Sequence, residues 1–217
     1  MTKVKICGIT TLADARYASG AGADYLGFIQ FEGSPRYVAP DVARDIINWV
    51  YGSKPVGVFV NEDAERVNEI CELAGFDYVQ LHGDETPTYC QWMDRPVIKA
   101  IRVGPGDTSK TIQDQIDAFA EVAEYILLDT ATSSESEHPT FGGTGASFDW
   151  SILQQVSSPL PIFLAGGLRS ETAAKAIREV SPYALDVSSG VEESAGRKDF
   201  EKIDTFMSEV RGGGHHD

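Results

Sequence analysis

Cysteine is scarce in this sequence, and its spacing is as informative as its number. The 217 residues contain three cysteines, Cys7, Cys71 and Cys90, which lie far apart and form no CxxC pair. An odd and scattered set predicts neither a disulfide framework nor a zinc site. We therefore expect free thiols, a cytoplasmic location and no bound metal. Cys71 and Cys90 fall in helical patterns, where we expect a structural role.

Positive charge is scarce as well. Lysine and arginine together number 18 against 33 acidic residues, which gives a formal net charge of −15. A chain this acidic repels the phosphates of nucleic acids and of anionic membranes, so we expect neither as a partner. The acidic residues recur on predicted helix faces, which suits concentrated salt, where charge repulsion is screened. The alternative is an ordinary acidic cytoplasmic protein.

The sequence has no long apolar run. No stretch reaches the length of a membrane-spanning helix, and the first residues enter a predicted strand without a charged and apolar leader. Hydrophobic residues still make up 42% of the chain, which is enough for a core. We expect one soluble, unexported domain over residues 1–210 and a flexible tail over 211–217.

Eight short apolar segments, each followed by a segment of helical periodicity, occupy the length of the chain. The predicted strands cover 4–8, 25–30, 55–60, 77–81, 96–101, 125–129, 161–165 and 183–187. The predicted helices cover 11–20, 40–51, 62–74, 85–93, 109–122, 149–156, 170–180 and 198–210. This alternation indicates a parallel sheet covered by helices, and eight units close into a (β/α)8 TIM barrel. An open doubly wound sheet is the alternative, but no GxGxxG follows the first strand.

In such a barrel the chemistry lies at the carboxyl ends of the strands. Alternation along the first strand puts Lys3, Lys5 and Cys7 on the inner face. Similar reasoning predicts inward side chains on the fourth, fifth, sixth and eighth strands, namely Gln80, His82, Lys99, Leu127, Asp129, Asp186 and Ser188.

Cys7 and Asp129 end strands on well-separated parts of the rim, which suits moving a proton between two atoms of one small substrate. His82 is a candidate substrate-binding residue or an alternative acid or base. A cysteine in such a place is also commonly a buried packing residue.

Two glycine-bearing segments, 165–168 (AGGL) and 188–192 (SSGVE), follow the seventh and eighth strands, where phosphate-binding barrels hold their anion. Glycine lets backbone N–H groups approach a phosphate closely, and a following helix N-terminus adds a favourable dipole. The residues contributed are Gly166, Gly167, Ser188, Ser189 and Gly190. We predict a phosphate site here. The sequence GGTG (142–145) in the sixth loop is either a third contributor or a flexible lid.

Nine segments of the chain resemble, in the same order, the phosphoribosylanthranilate isomerase family of tryptophan biosynthesis. They are KICGIT, ADYLGFI, SPRYV, VGVFVN, VQLHGDE, LLDT, GGTGASFDW, LAGGL and ALDVSSGVE. The resemblance implies a (β/α)8 barrel that converts N-(5-phosphoribosyl)anthranilate to 1-(2-carboxyphenylamino)-1-deoxyribulose 5-phosphate by an Amadori rearrangement. It implies no metal and no cofactor, and a small-molecule substrate carrying a phosphate and an anthranilate carboxylate.

The resemblance also implies roles for matching residues. Cys7 of KICG would be the general base, and Asp129 of LLDT the general acid. Arg36 of SPR would hold the anthranilate carboxylate, and Asp186 of ALDVSSG would contact the sugar or the bridging amine. The glycines of LAGGL and VSSGVE would hold the phosphate.

The proposed proton transfers require displaced pKa values. Lys5, on the same strand face as Cys7, is expected to favour the thiolate. LLDT contains no basic residue, so an apolar environment made by Leu127 and Phe28 is expected to keep Asp129 protonated.

The chain departs from that family's pattern in two places. Gln30 stands where an aromatic or apolar residue is expected, and Glu32 where a proline or a basic residue is expected. Glu32 would bring a carboxylate close to Arg36. The loop over 131–141 is longer and more acidic than usual. Two alternatives stay open: a related histidine-pathway isomerase, which would use paired aspartates where this chain has Cys7 and Ala100, and a non-catalytic phosphosugar-binding barrel. Either a monomer or a homodimer is expected.

Overall fold

The computed structural model describes residues 1–130 and 149–212. Within these residues eight strands pair in parallel and in chain order, and the eighth pairs with the first, so that the sheet closes. The strands are β1 (Lys3–Cys7), β2 (Tyr25–Ile29), β3 (Lys54–Phe59), β4 (Tyr78–Leu81), β5 (Val97–Val103), β6 (Tyr125–Thr130), β7 (Ile162–Leu164) and β8 (Ala184–Val187). The predicted TIM barrel is confirmed.

Helices connect the strands on the outside of the barrel. In the described part of the chain the α-helices are α1 (Leu12–Gly20), α2 (Pro40–Ile47), α3 (Ala64–Ala74), α4 (Pro87–Cys90), α5 (Ser109–Phe119), α6 (Ser170–Val180) and α7 (Phe200–Gly212). The segment predicted as a helix over 149–156 forms a 3₁₀ helix, Trp150–Gln155, which ends where the backbone becomes extended at Val156.

A short antiparallel hairpin follows β8 and was not predicted. It consists of β9 (Glu192–Ser194) and β10 (Arg197–Lys198). The last helix therefore begins at Phe200 rather than at residue 198. Because α7 continues to Gly212, the predicted domain boundary at residue 210 falls inside a helix, and residues 213–217 of the predicted tail lie outside the described residues.

Apolar side chains pack on both sides of the strands, as the alternation of a two-sided sheet requires. Val4 and Ile6 belong to the outer layer between strands and helices. Inside the barrel, the first residues of alternate strands fill the amino end, where the rings of Tyr25 and Tyr125 lie 5.2 and 5.3 Å from that of Phe163. This packed layer leaves the carboxyl end of the barrel for polar side chains.

Cys71 and Cys90 are buried in the helical layer with free thiols. Burial raises the pKa of Cys71 to about 12 and that of Cys90 to about 11, as suits inert structural thiols. No helix among the described residues is long and apolar enough to cross a membrane.

Candidate active site

Strand β1 carries the predicted thiol to the rim of the barrel. Lys5 and Cys7 face the interior, and Cys7, 7% exposed, borders a cleft at the carboxyl ends of the strands. Gly27 pairs with Cys7 across β1 and β2. A Cβ at Gly27 would lie 2.7 Å from Cys7 Sγ and 3.1 Å from Lys5 Nζ, so the missing side chain makes room for both groups.

Lys5 lies fully buried beside Cys7 and is paired with a carboxylate. Its Nζ donates to Oδ1 of Asp186 at 2.9 Å, and the two residues stand opposite each other across β1 and β8. Burial lowers the pKa of Lys5, but the charge of Asp186, together with the charge of Cys7 when that thiol is ionised, outweighs burial and raises the pKa above its ordinary value. Lys5 is therefore an ammonium ion next to the sulfur.

Several groups act on the ionisation of Cys7, and burial is the largest influence. Burial raises the pKa of the Cys7 thiol, Lys5 lowers it, Asp186 raises it and Lys198 lowers it, with a net rise above the ordinary value. Lys5 thus acts in the direction predicted from the sequence. Its effect on the pKa is smaller than that of burial, so the neutral thiol is favoured in this structure.

Asp129, near the end of β6, reaches the same cleft, and both of its oxygens are held. The Thr130 N–H donates to Oδ1 at 2.8 Å, and His82 Nε2 lies 3.1 Å from Oδ2. Gln80 Nε2 donates to His82 Nδ1 at 2.8 Å, which leaves the ring proton on Nε2, facing Asp129. LLDT contains no basic residue, but the fold brings His82 to Asp129 from the end of β4.

The predicted apolar environment of Asp129 is only half correct. Leu127 lies in the interior layer. Phe28 lies in the outer layer instead, with its ring centroid 5.8 Å from that of Phe76. It therefore packs against the helical side of the sheet and does not shield the carboxylate.

Lys99, predicted to point into the barrel, lies on the opposite face of its strand. Its strand neighbours Ile98 and Ala100 occupy the interior, so Lys99 points toward the helices. There its Nζ donates to Gly83 O and to Glu85 Oε2, both at 2.7 Å. Lys99 thus stabilises the loop that follows His82 rather than lining the cleft.

The first predicted phosphate turn has the backbone that its glycines suggest. Gly166 and Gly167 have φ values of +86° and +64°. A Cβ at Gly166 would lie 2.2 Å from Thr130 Oγ1 and 2.8 Å from Thr130 N, so only glycine fits. The turn directly precedes α6, whose N-terminal dipole favours an anion.

The second predicted phosphate segment meets the first. Ser188 and Ser189 line the cleft, and the buried Ser188 Oγ has no hydrogen-bond partner among the described residues. Gly190 lies behind them, where a Cβ would come within 1.9 Å of Leu168 O. Gly190 therefore acts by allowing the two turns to touch.

Arg36 borders the cleft and is fixed by a carboxylate. Its Nε donates to both oxygens of Glu192 at 2.9 and 3.1 Å, and NH2 donates to Oε2 at 2.7 Å. Glu32 is exposed, so the carboxylate that Arg36 meets comes from Glu192 and not from Glu32.

The cleft brings most of the predicted residues together. The empty space inside it, with the open solvent at its mouth included, is about 730 Å³. The predicted residues that line it are Cys7, Arg36, His82, Asp129, Gly166, Gly167, Asp186, Ser188 and Ser189. A thiol, a carboxyl group and a glycine-rich turn thus face one cavity.

Sequence reasoning missed two charged residues of this region, Glu192 and Lys198. Lys198 Nζ donates to the carbonyl oxygen of Cys7 at 2.5 Å and to Glu192 Oε1 at 2.9 Å. Both residues stand shortly after the eighth strand, close to the rim, and that position was the available signal. Lys198 was instead assigned to the predicted helix over 198–210.

Two predicted features cannot be placed. The sequence GGTG (142–145) and the acidic loop over 131–141 lie outside the described residues. Among residues 1–130 and 149–212, no three His, Cys, Asp or Glu side chains are grouped as metal ligands would be.

Comparison with known proteins identifies the relatives of this chain. Residues 4–209 match the family of N-(5'-phosphoribosyl)anthranilate (PRA) isomerase. An N-(5'-phosphoribosyl)anthranilate isomerase of Geobacter sp. (strain M21) is 45% identical over 212 residues, covering 97% of this chain and 98% of the relative. A crystal structure of phosphoribosyl anthranilate isomerase from Thermus thermophilus is 33% identical with a TM-score of 0.85, covering 97% and 99% of the two chains.

A further solved structure contains a ligand. It is a phosphoribosyl anthranilate isomerase in complex with reduced 1-(o-carboxyphenylamino)-1-deoxyribulose 5-phosphate, with 35% identity and a TM-score of 0.81. The match covers 98% of this chain and 100% of that one.

Proposed function

The chain belongs to the N-(5'-phosphoribosyl)anthranilate isomerase family, and from that premise we propose that Cys7 is its general base and Asp129 its general acid. The reaction is the Amadori rearrangement of N-(5-phosphoribosyl)anthranilate to 1-(2-carboxyphenylamino)-1-deoxyribulose 5-phosphate in tryptophan biosynthesis. One observation carries the assignment. Cys7 on β1 and Asp129 on β6 border the same cleft, so a small sugar can lie between them.

The rearrangement needs two proton transfers. Protonated Asp129 gives its proton to the furanose ring oxygen as the bond from that oxygen to C1 breaks, which leaves a protonated Schiff base between C1 and the anthranilate nitrogen. The Cys7 thiolate then removes the proton from C2, and the electron pair of that C–H bond forms the C1–C2 double bond of an enolamine. Loss of the O2 proton and protonation of C1 give the ketone. The product is an isomer of the substrate, so no oxidant or reductant is consumed.

The contacts of Asp129 fix the orientation of its carboxyl group in the cleft. His82 Nε2 lies 3.1 Å from Oδ2, and Gln80 fixes the orientation of the imidazole ring. With the ring proton on Nε2, His82 donates to Oδ2 and holds the Asp129 carboxyl group in place. His82 therefore supports the acid rather than replacing it.

The surroundings of Cys7 support its role as the base. Lys5 and Lys198 both lower the pKa of the thiol against the effect of burial. A thiol whose pKa lies at or above neutrality still gives a strong base when a small fraction ionises. The two lysines increase that fraction.

The remaining predicted contacts fit the two charged ends of the substrate. We assign its phosphate to the turn at Gly166 and Gly167 with Ser188 and Ser189, beside the N-terminus of α6. We assign its carboxylate to Arg36, which keeps three of its five N–H donors after its contacts with Glu192. Asp186, which also lines the cleft, would contact the sugar or the bridging amine.

Two substitutions test the assignment. Cys7→Ser and Asp129→Asn should each lower kcat by about 10²-fold or more, because acid–base catalysis contributes about 10²–10⁴-fold. Cys90→Ser and Asp114→Asn, which change the same groups away from the cleft, are the matched controls. The measurement is steady-state turnover of N-(5-phosphoribosyl)anthranilate. Retention of wild-type kcat by either cleft variant would overturn the role given to that residue.

The state of the thiols and the reaction bear on where the protein works in the cell. Three unpaired thiols and a biosynthetic reaction support a cytoplasmic location. We propose that the chain acts as a monomer or a homodimer. Analytical ultracentrifugation of the purified protein distinguishes the two states.

A further inference from the structure

The hairpin after β8 places a buried lysine directly behind the proposed catalytic base. The Lys198 side chain is fully buried, and its Nζ donates to Cys7 O at 2.5 Å, Glu192 Oε1 at 2.9 Å and Ser188 O at 3.4 Å. All three partners are acceptors. An ammonium group has three N–H donors and no acceptor, so these contacts suit the charged form of Lys198. Burial lowers the pKa of Lys198 below its ordinary value, and the charge and hydrogen bond of Glu192 oppose that effect.

Glu192 completes this arrangement. Its carboxylate is buried and accepts from both Lys198 and Arg36. Burial raises the pKa of Glu192, but the bonds from Arg36 and the charge of Lys198 outweigh burial and lower the pKa below its ordinary value. Glu192 is therefore ionised and supplies the negative charge that a buried ammonium requires.

Charged groups surround Cys7 from four parts of the barrel. Lys5 lies on β1, Asp186 on β8, Lys198 on β10 and Arg36 in the segment after β2. Lys5 is already paired with Asp186, and Arg36 with Glu192. Lys198 differs because one of its donors holds the backbone of Cys7 itself, which ties the charge to the residue.

We propose that Lys198 is a positioning residue for Cys7, fixing the carboxyl end of β1 through the Cys7 carbonyl and stabilising the Cys7 thiolate through its charge. The catalytic meaning of this inference rests on the proposed role of Cys7 as the base. The contact of Lys198 with the Cys7 carbonyl oxygen does not depend on that role. With Lys198 in this role, the hairpin β9–β10 is part of the active site, although neither Lys198 nor Glu192 is assigned contact with the substrate.

Two substitutions separate the charge of Lys198 from its hydrogen bond. Lys198→Gln removes the charge and keeps an N–H donor, whereas Lys198→Met removes both. Either variant leaves Glu192 paired with Arg36, so neither leaves a buried carboxylate without a partner. Lys110→Met, at a lysine whose side chain is 81% exposed, removes the same charge far from Cys7 and is the control.

The measurement is the pH dependence of Cys7 alkylation by iodoacetamide, followed at Cys7 by mass spectrometry without substrate. A nearby opposite charge shifts a pKa by about 1–3 units. We expect the midpoint for Cys7 to rise by about one unit or more in both Lys198 variants and to stay unchanged in Lys110→Met. At a pH below all midpoints, that shift slows alkylation about tenfold.

Two results would overturn the proposal. One is an unchanged midpoint in Lys198→Gln, even if Lys198→Met shifts it, because Lys198 would then act through the hydrogen bond alone. The other is an equal shift in Lys110→Met, which would reflect net charge. Should Lys198→Met fail to fold, as judged by circular dichroism, Lys198→Gln decides. The result is independent of turnover, so an active Cys7→Ser variant would refute the role of Cys7 as base without affecting this test.

Discussion

Replacing Gly190 with alanine tests how the two glycine-rich turns fit together. A Cβ at this position would lie 1.9 Å from Leu168 O, 3.0 Å from Leu168 C and 3.2 Å from Arg169 Cα. All three atoms belong to the backbone, so no side-chain rotation relieves the overlap. The segment that must move begins directly after Gly167, in the proposed phosphate turn.

The size of the effect follows from these distances. Ordinary van der Waals contact needs about 3.5 Å between heavy atoms, so Leu168 O would have to retreat by about 1.5 Å. Overpacking of this kind costs about 1–3 kcal/mol of stability, which lowers Tm by roughly 2–12 °C in a protein of this size. A displacement of about 1 Å at a binding site costs about 10²-fold in kcat/KM.

Steady-state kinetics and thermal unfolding check this prediction together. We expect Gly190→Ala to lower kcat/KM by about 10²-fold, chiefly through KM, and to weaken competitive inhibition by inorganic phosphate. Gly106→Ala is the control, because no heavy atom lies within 4 Å of a Cβ at that position. If Gly190→Ala kept kcat/KM and phosphate inhibition within about threefold of wild type, the claimed dependence of the phosphate site on this contact would be refuted.

Three further predictions concern charge. Arg36→Lys should raise KM by about tenfold or more in steady-state assays, because lysine cannot bind Glu192 bidentately and also meet a carboxylate; an unchanged KM would contradict this. Because the pKa of Glu192 is lowered in the folded protein, its ionised form stabilises the fold at pH values above the unfolded pKa of about 4.3. This stabilisation is lost as the pH falls through the folded pKa. In urea unfolding, the free energy of unfolding of Glu192→Gln should therefore fall less than that of wild type between about pH 6 and about pH 3. With a net charge of −15 and an anionic substrate, kcat/KM should rise as KCl is added up to about 1 M, and a flat or falling profile would refute salt adaptation.

The register of β5 shows where sequence reasoning failed. The stretch over 96–101 (PVIKAI) has apolar residues on both sides of Lys99, so its alternation does not say which face Lys99 occupies. A shift of one residue moves every side chain of a strand to the opposite face. Glu85 and the carbonyl of Gly83 provide partners for Lys99 on the helical side, and those partners decided the outcome.

The residues of the cleft were predicted from local features of the sequence, whereas several of their contacts were not. Cys7, Asp129 and the glycines of the phosphate turns were found because each ends a strand or opens a turn, which are local features. The contacts of His82 with Asp129, of Arg36 with Glu192 and of Lys198 with Cys7 join residues 47, 156 and 191 positions apart. The spacing of residues in the sequence does not predict such pairs.

The sequence by itself determined the repeating strand–helix order, the number of units and hence the closed barrel, together with the residues that reach its carboxyl rim. These follow from hydrophobic periodicity and backbone preference, which act over a few neighbouring residues. Only the tertiary structure decided which charges neutralise one another and how strongly burial opposes ionisation of the thiol. Those effects depend on distance through space and on exclusion of water, and both are set when the barrel closes.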